Sequence, residues 1–218
     1  MTALEDTRRS LHAVAELLLA GPQYRATGTL RLAVRAGGFG TVRPWDGVEL
    51  VAVDGTELVV FRPDGTRRLP LAGTLGNLAA SAGLTPSGLG AAYRDTTGAT
   101  PDSPVTVDAA AAAELAAAWG AGDAALRALP LAEGGAEVPE PVLWPEHFDV
   151  AITLDAVDYG VSPGDEGIPE PYAYVGPHVP RQGEFFDRPF GAARTVRELG
   201  GEPGILDFFR TGRTLTAS

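Results

Sequence analysis

The sequence predicts an α+β fold built on an antiparallel β-sheet. Three observations support this class: alternating strand patterns separated by Asp-Gly pairs, helical patterns near the N-terminus, the centre and the C-terminus, and the lack of a strand–helix–strand rhythm. We expect a meander-type sheet or a partly open barrel, covered by these helices. The chain of 218 residues is predicted to form one domain, with an internal boundary within 84–104 or 130–141 as the alternative.

The first element is predicted to be a helix over residues 3–20. Thr2 and Glu5 have the spacing of a capping box, and apolar residues follow on one helical stripe until Gly21-Pro22 ends the pattern. Arg8-Arg9 superficially resembles a twin-arginine export signal. Acidic residues precede the arginines, and His12 interrupts the apolar stretch, so we predict a retained helix and a cytoplasmic protein.

Strands follow the first helix. From Tyr24 the apolar period changes to two, which predicts a strand that ends at Gly37-Gly38. The pairs Asp54-Gly55 and Asp64-Gly65 separate three further apolar runs. Each pair predicts a hairpin turn, because glycine supplies the positive φ of a tight turn. Those runs are 48–53, 57–61 and 67–71. Residues 24–71 are therefore predicted to form a four-stranded antiparallel meander.

The remaining elements are predicted from shorter patterns. Asp108 is expected to cap an alanine-rich helix that reaches Leu129 and is interrupted near Gly120–Gly122. The other expected elements are a helix over 74–82, loops over 84–104 and 130–145, strands over 148–154 and 171–175 joined by a long loop, and a helix over 205–213.

Composition excludes several classes of partner and chemistry. The chain carries 28 acidic and 17 basic residues, a net charge of −11 that disfavours nucleic acids and anionic membranes. It has no cysteine, which excludes disulfides, thiolate nucleophiles and cysteine-ligated metals. No apolar run approaches the roughly 18–20 residues of a membrane span.

The strongest candidate site is a polar face formed by two strands. His147 and Asp149 fall on one face of the strand over 148–154, and Glu170, Tyr172 and Tyr174 fall on one face of the strand over 171–175. If the strands are antiparallel neighbours, matching of their apolar faces places all five side chains on a common surface. We therefore predict a small-molecule site there, with Glu146 beside it.

Other functions are compatible with the same residues. His147, Asp149 and Glu170 could act as metal ligands in a hydrolase-like enzyme, or the face could simply be solvated. Whether the protein is an enzyme, and with what cofactor, stays open. The acidic segment 155–166 could form a calcium loop, although its spacing differs from the EF-hand pattern and favours a turn-rich loop.

The aromatic segment Phe185–Phe190 has three interpretations. It could plug the open end of the sheet, form a pocket wall, or provide a homodimer surface, because aromatic side chains are common anchors at interfaces. The third interpretation would make the chain a protein-interaction module that takes no small ligand.

Several segments resemble an uncharacterised protein family of high-GC bacteria that has no assigned activity. They are Leu19–Gln23, Thr27–Leu32, Leu143–Asp149, Tyr159–Asp165 and Pro169–Pro177. The resemblance spans nearly the whole chain. It implies a single fold and implies nothing about chemistry.

Overall fold

The computed structural model describes residues 2–90, 92, 96–129 and 139–217. They form two compact units. The first comprises Met1–Ala117 and Leu143–Phe148, and the second comprises Ala118–Val142 and Asp149–Ser218. Each unit contains helices and antiparallel strands, which confirms the predicted α+β class. The predicted single domain stays a prediction.

The helices and strands have the following bounds. The helices are α1 (Ala3–Val14), a π-helical segment (Ala15–Ala20), α2 (Gly21–Thr27), α3 (Leu75–Ala82), α4 (Ala109–Ala128), α5 (Val196–Leu199) and α6 (Glu202–Thr216). The strands are β1 (Leu32–Arg35), β2 (Gly38–Thr41), β3 (Leu50–Asp54), β4 (Glu57–Arg62), β5 (Gly65–Pro70), β6 (Ala72–Thr74), β7 (Pro104–Thr106), β8 (Val142–Trp144), β9 (Asp149–Leu154), β10 (Val157–Ser162), β11 (Tyr172–Pro177) and β12 (Ala192–Thr195).

The N-terminal helix is longer than the sequence predicts. The Thr2–Glu5 capping box is present, but the helical backbone continues through the π-helical segment and α2. Pro22 lies in the first turn of α2, where a missing N–H is tolerated. Gly28 then ends the helix with a φ of +77°. The predicted stop at Gly21-Pro22 and the predicted strand from Tyr24 are therefore wrong.

The strands of the first unit form a meander that runs from β1 to β5, with β8 beside β1. The two predicted hairpin turns are confirmed, because Asp54 pairs with Glu57 and Arg62 pairs with Gly65. The meander has five strands rather than four. The additional strand β2 begins immediately after Gly37, whose φ of +79° lets the chain reverse. The short pair β6–β7 is separate.

The strands of the second unit are ordered β12-β11-β10-β9, and each pairs antiparallel with its neighbour. The predicted long loop after β9 is wrong, because β10 follows β9 directly. Asp155 and Ala156 make the turn, with φ values of +53° and +59°. These values are uncommon for residues with a side chain, and the pair carries no glycine that could have indicated the turn.

Helices α4 and α6 pack on the apolar face of these strands. A Cβ atom on Gly122 would lie 2.7 Å from the Val161 side chain, so the glycine allows α4 to approach the strand closely. The predicted break near Gly120–Gly122 is therefore wrong, and α4 is continuous. From α6, the Phe209 ring meets the Tyr159 ring edge to face, with centroids 5.8 Å apart. No helix among the described residues is long and apolar enough to cross a membrane.

Candidate functional site

The polar face of β9–β11 is built by strand alternation. Tyr174 pairs with Gly160, which pairs with Ala151, and Tyr172 pairs with Ser162. Asp149 lies two residues before Ala151 and so projects from the same face as the two tyrosines. The opposite face carries the apolar side chains that meet α4 and α6. Three of the predicted site residues, Asp149, Tyr172 and Tyr174, are thus on one face of one sheet.

Tyr174 and Asp149 form a hydrogen-bonded pair. The Tyr174 hydroxyl donates to Asp149 Oδ2, and the Asp149 residue is only 6% exposed. The Tyr174 ring lies across Gly160, where a Cβ atom would be 2.6 Å from the phenol oxygen. Burial, together with the charge of Asp149, raises the pKa of Tyr174 well above its ordinary value. The phenol therefore stays protonated and acts as a hydrogen-bond donor.

Tyr172 forms a second pair, with Asp165. Its hydroxyl donates to Asp165 Oδ2 at 2.6 Å, and burial followed by this hydrogen bond raises the pKa of Tyr172 to about 12. The other oxygen of Asp165 accepts the backbone N–H groups of Gly167 and Ile168, at 2.7 and 2.8 Å. Asp165 therefore holds the 163–169 turn against the sheet.

The calcium alternative for residues 155–166 does not fit this arrangement. Asp155 lies in the β9–β10 turn, Asp158 lies in β10, and Asp165 is bonded to the backbone of its own loop. Over the described ranges, no cluster of three or more His, Cys, Asp or Glu side chains could hold a metal ion. The metal-dependent alternative therefore gains no support from these residues.

Glu170 forms an ion pair with Arg197. It precedes β11, and its two carboxylate oxygens accept hydrogen bonds from Arg197 at 2.9 and 3.0 Å. This bidentate contact lowers the pKa of Glu170, although the pair is largely exposed. The strand alternation that we expected to include Glu170 begins only at Tyr172.

Glu146 and His147 belong to the first unit. They lie in the turn between Trp144 and Phe148, whose backbone is closed by a 2.7 Å hydrogen bond from Phe148 N–H to the Trp144 carbonyl. His147 is exposed, and Glu146 is half-buried. The φ of Phe148 is +57°, so the extended pattern that we predicted from His147 onward starts only after this residue. Their role in ligand binding stays a prediction.

A separate groove of about 590 Å³ lies in the second unit, within the region that contains the predicted aromatic segment. Its lining residues are Arg181, Gln182, Gly183, Glu184, Phe185, Phe186, Arg194, Thr211 and Leu215. The Phe185 ring meets Phe186 edge to face at 5.0 Å and also packs on Phe208 at 5.1 Å. Phe185 and Phe186 are thus half-buried parts of a groove wall, while Phe190 is 47% exposed. The homodimer through this segment stays a prediction.

Two arginines of the groove are held in place by the second unit. Arg194 Nη1 donates to both carboxylate oxygens of Asp187 at 3.0 Å, and Arg181 Nη2 donates to the Thr216 carbonyl near the end of α6 at 3.0 Å. These bonds fix the guanidinium groups beside the aromatic wall. No local sequence pattern indicated these arginines, because Arg181 meets the end of α6 only in the folded chain.

Comparison with known proteins gives no assignment: no family model, no curated protein and no solved structure matches this chain. The resemblance to the bacterial family therefore stays a prediction.

Proposed function

We propose that the protein binds a small organic molecule in the groove of the second unit. The observation that supports this proposal is the combination of a volume of about 590 Å³ with aromatic walls and fixed arginine side chains. Known small-molecule sites are concave, have volumes of roughly 300–1,000 Å³, and combine apolar walls with a few oriented polar groups.

The lining indicates the general shape of the ligand. Phe185, Phe186 and Leu215 offer apolar surface for the body of a ligand. Arg194 offers the polar contact: Asp187 engages its Nη1 group, while its Nε and Nη2 groups have no hydrogen-bond partner among the residues that the structure describes. A ligand with an apolar ring or chain and one acidic group fits both features.

The β9–β11 face has less support as the primary site. The hydroxyls of Tyr172 and Tyr174 are already used, each by a carboxylate of the same unit. A ligand that used these hydroxyls would have to break their hydrogen bonds to Asp165 and Asp149. Its own contacts would have to compensate for the free energy of those bonds. We therefore keep that face as a hypothesis and place the proposed binding site in the groove.

The proposal is tested with a variant in which a larger side chain fills the groove. The binding of 8-anilinonaphthalene-1-sulfonate, an aromatic probe that carries one acidic group, is compared between this variant and the wild type. Thr211 lines the groove from an exposed position on α6, so Thr211→Trp should occupy the space and abolish saturable fluorescence enhancement. Thr214→Trp is the matched control, because Thr214 is exposed on the same helix and is not a lining residue. The control should bind the probe as the wild type does.

A second pair of variants tests the polar contact. Arg194→Gln should weaken probe binding by about tenfold, which is the loss of one charge-assisted contact. Arg197→Gln removes the same charge from an exposed position outside the groove lining and should leave the affinity unchanged. Equal binding by wild type and Thr211→Trp, with both proteins folded by circular dichroism, would refute the proposed site.

A further inference from the structure

A second cavity, of about 220 Å³, lies in the first unit, where α2, the turn before β3, and the end of α3 come together. Its lining residues are Pro22, Arg25, Ala26, Trp45, Asp46, Val48, Arg62, Gly83, Leu84 and Thr85. Four of these ten residues, Arg25, Trp45, Arg62 and Thr85, have side chains that donate hydrogen bonds, and the volume is below that of most drug-sized ligand sites. A ligand here must be small and must accept hydrogen bonds.

Arg25 and Arg62 supply positive charge, and no carboxylate of the described residues forms an ion pair with either of them. Arg25 lies in the last turn of α2, and its exposed guanidinium has neither an ion pair nor a hydrogen bond with any residue in the described part of the chain. Within the described ranges, the Arg62 guanidinium donates to backbone carbonyls alone, with Gly83 the nearest acceptor at 2.9 Å.

The negative groups around the cavity leave an excess of positive charge. Asp46 also lines the cavity, and the carbonyls at the end of α3 carry the partial negative charge of a helix C-terminus, about half a unit. Arg62 points its Nη2 group at those carbonyls and offsets them. No described acidic group lies within 4 Å of Arg25, so its charge is available to a bound anion.

Trp45 is held rigidly beside the arginines. Its backbone exchanges two hydrogen bonds with Val48, of 2.9 and 2.7 Å, around a tight turn. Asp46 and Gly47 occupy the two central positions with φ values of +44° and +74°, a geometry that fixes the turn. The backbone position of half-buried Trp45 beside the cavity is therefore fixed, and its indole carries one N–H donor.

We infer that this cavity binds a phosphate group, either as inorganic phosphate or as the monoester of a small alcohol. Arg25, Arg62, Trp45 and Thr85, whose side chains all carry hydrogen-bond donors, line one small space. A phosphate has enough acceptor oxygens to use several of these donors, and arginine matches its geometry with two parallel hydrogen bonds. This site is independent of the groove in the second unit.

The test is a titration with inorganic phosphate at constant ionic strength, followed by tryptophan fluorescence. We expect a saturable change in the wild-type protein, at least about tenfold weaker binding by Arg25→Gln, and an intermediate affinity for Arg25→Lys. Arg43→Gln is the matched control, because Arg43 is exposed and outside the lining. The control should bind as the wild type does.

Two further measurements test whether Trp45 is the source of the fluorescence change and whether the cavity prefers free phosphate or a monoester. Trp45→Phe should lose the fluorescence change yet retain phosphate binding by calorimetry, since the two arginines remain. Glycerol phosphate in place of inorganic phosphate shows whether a monoester binds more tightly than the free ion. The inference is overturned if the wild type shows no saturable change, or if Arg25→Gln and Arg43→Gln bind phosphate equally.

Discussion

The hydroxyl of Tyr174 donates a hydrogen bond to the buried carboxylate of Asp149, 25 positions earlier in the chain. The bond connects β11 with β9 across the intervening strand β10. Gly160 makes this possible, because the absence of a Cβ atom there lets the Tyr174 ring lie across β10. The contact supports the packing of the sheet in the second unit.

Removal of this bond should destabilise the protein measurably. We expect Tyr174→Phe to lower the free energy of unfolding by about 1–3 kcal/mol, because a buried carboxylate loses a donor. Tyr172→Phe should cost less, about 0.5–1.5 kcal/mol, because its acceptor Asp165 is exposed and keeps two backbone donors. Urea denaturation of both variants would check the order, and a larger cost for Tyr172→Phe would contradict it.

Two glycine substitutions should have opposite effects. Gly160→Ala places a methyl group 2.6 Å from the Tyr174 ring and should destabilise the protein by about 1–3 kcal/mol. Gly120→Ala lies inside α4 with no atom within 4 Å of the new methyl group, so it should stabilise the helix by up to about 1 kcal/mol. Thermal and urea unfolding provide the comparison, and equal effects would show that the glycine at 160 is not sterically required.

His12 should make the stability depend on pH. Its ring stacks on Phe148 with centroids 4.8 Å apart, and its Nε2 donates to the Pro145 carbonyl at 2.7 Å. Burial is the largest effect and lowers the pKa of His12 below its ordinary value of 6.5. The unfolded chain therefore binds a proton at a higher pH than the folded chain does.

The sign of the pH effect follows from linkage. Between the lowered pKa of folded His12 and about pH 6.5, the unfolded state holds more protons, so acidification reduces the free energy of unfolding. The contribution of neutral His12 to the free energy of unfolding is fully present above about pH 6.5 and is lost as the pH falls. Urea denaturation at several pH values gives the free energy of unfolding as a function of pH. In this pH window its slope should be smaller for His12→Phe than for the wild type. An unchanged slope would exclude His12 as its source.

Gln23 should be intolerant of an apolar replacement. Its amide is fully buried, donates to the carbonyls of Thr29 and Arg31, and accepts the N–H groups of Val42 and Arg43. Gln23→Leu has a similar size but leaves these backbone groups without their partner, so we expect a loss of about 3 kcal/mol or more. The same unfolding measurement on Asn77→Leu, at an exposed position, should show a change within about 0.5 kcal/mol.

The sequence was most informative where one local rule determined the structure. Asp54-Gly55 predicted its hairpin correctly, and strand alternation placed Asp149, Tyr172 and Tyr174 on one face. Glu170 lies two residues before β11 and its carboxylate pairs with Arg197, so its place on that face stays a prediction. Local periodicity therefore identified the polar face of β9–β11, but it could not show which side chains would form ion pairs with residues from other elements.

The groove could not be predicted from the sequence, because its walls come from distant segments. Phe185 was recognised as aromatic surface, but its neighbour Arg194 lies on β12, a strand that the sequence analysis missed, and Leu215 lies in the last turns of α6. Neither arginine belongs to a sequence motif, and Arg181 meets the end of α6 only in the folded chain. Long-range packing, rather than residue pattern, creates the site.

The most direct test of the proposed function is a heteronuclear NMR titration of the wild-type protein with 8-anilinonaphthalene-1-sulfonate. We expect saturable shifts of the backbone amides that cluster in residues 181–186, at Arg194, and at Thr211 and Leu215. Saturable shifts that cluster outside the groove, or shifts that do not saturate, would contradict the assignment of the groove as the ligand-binding site.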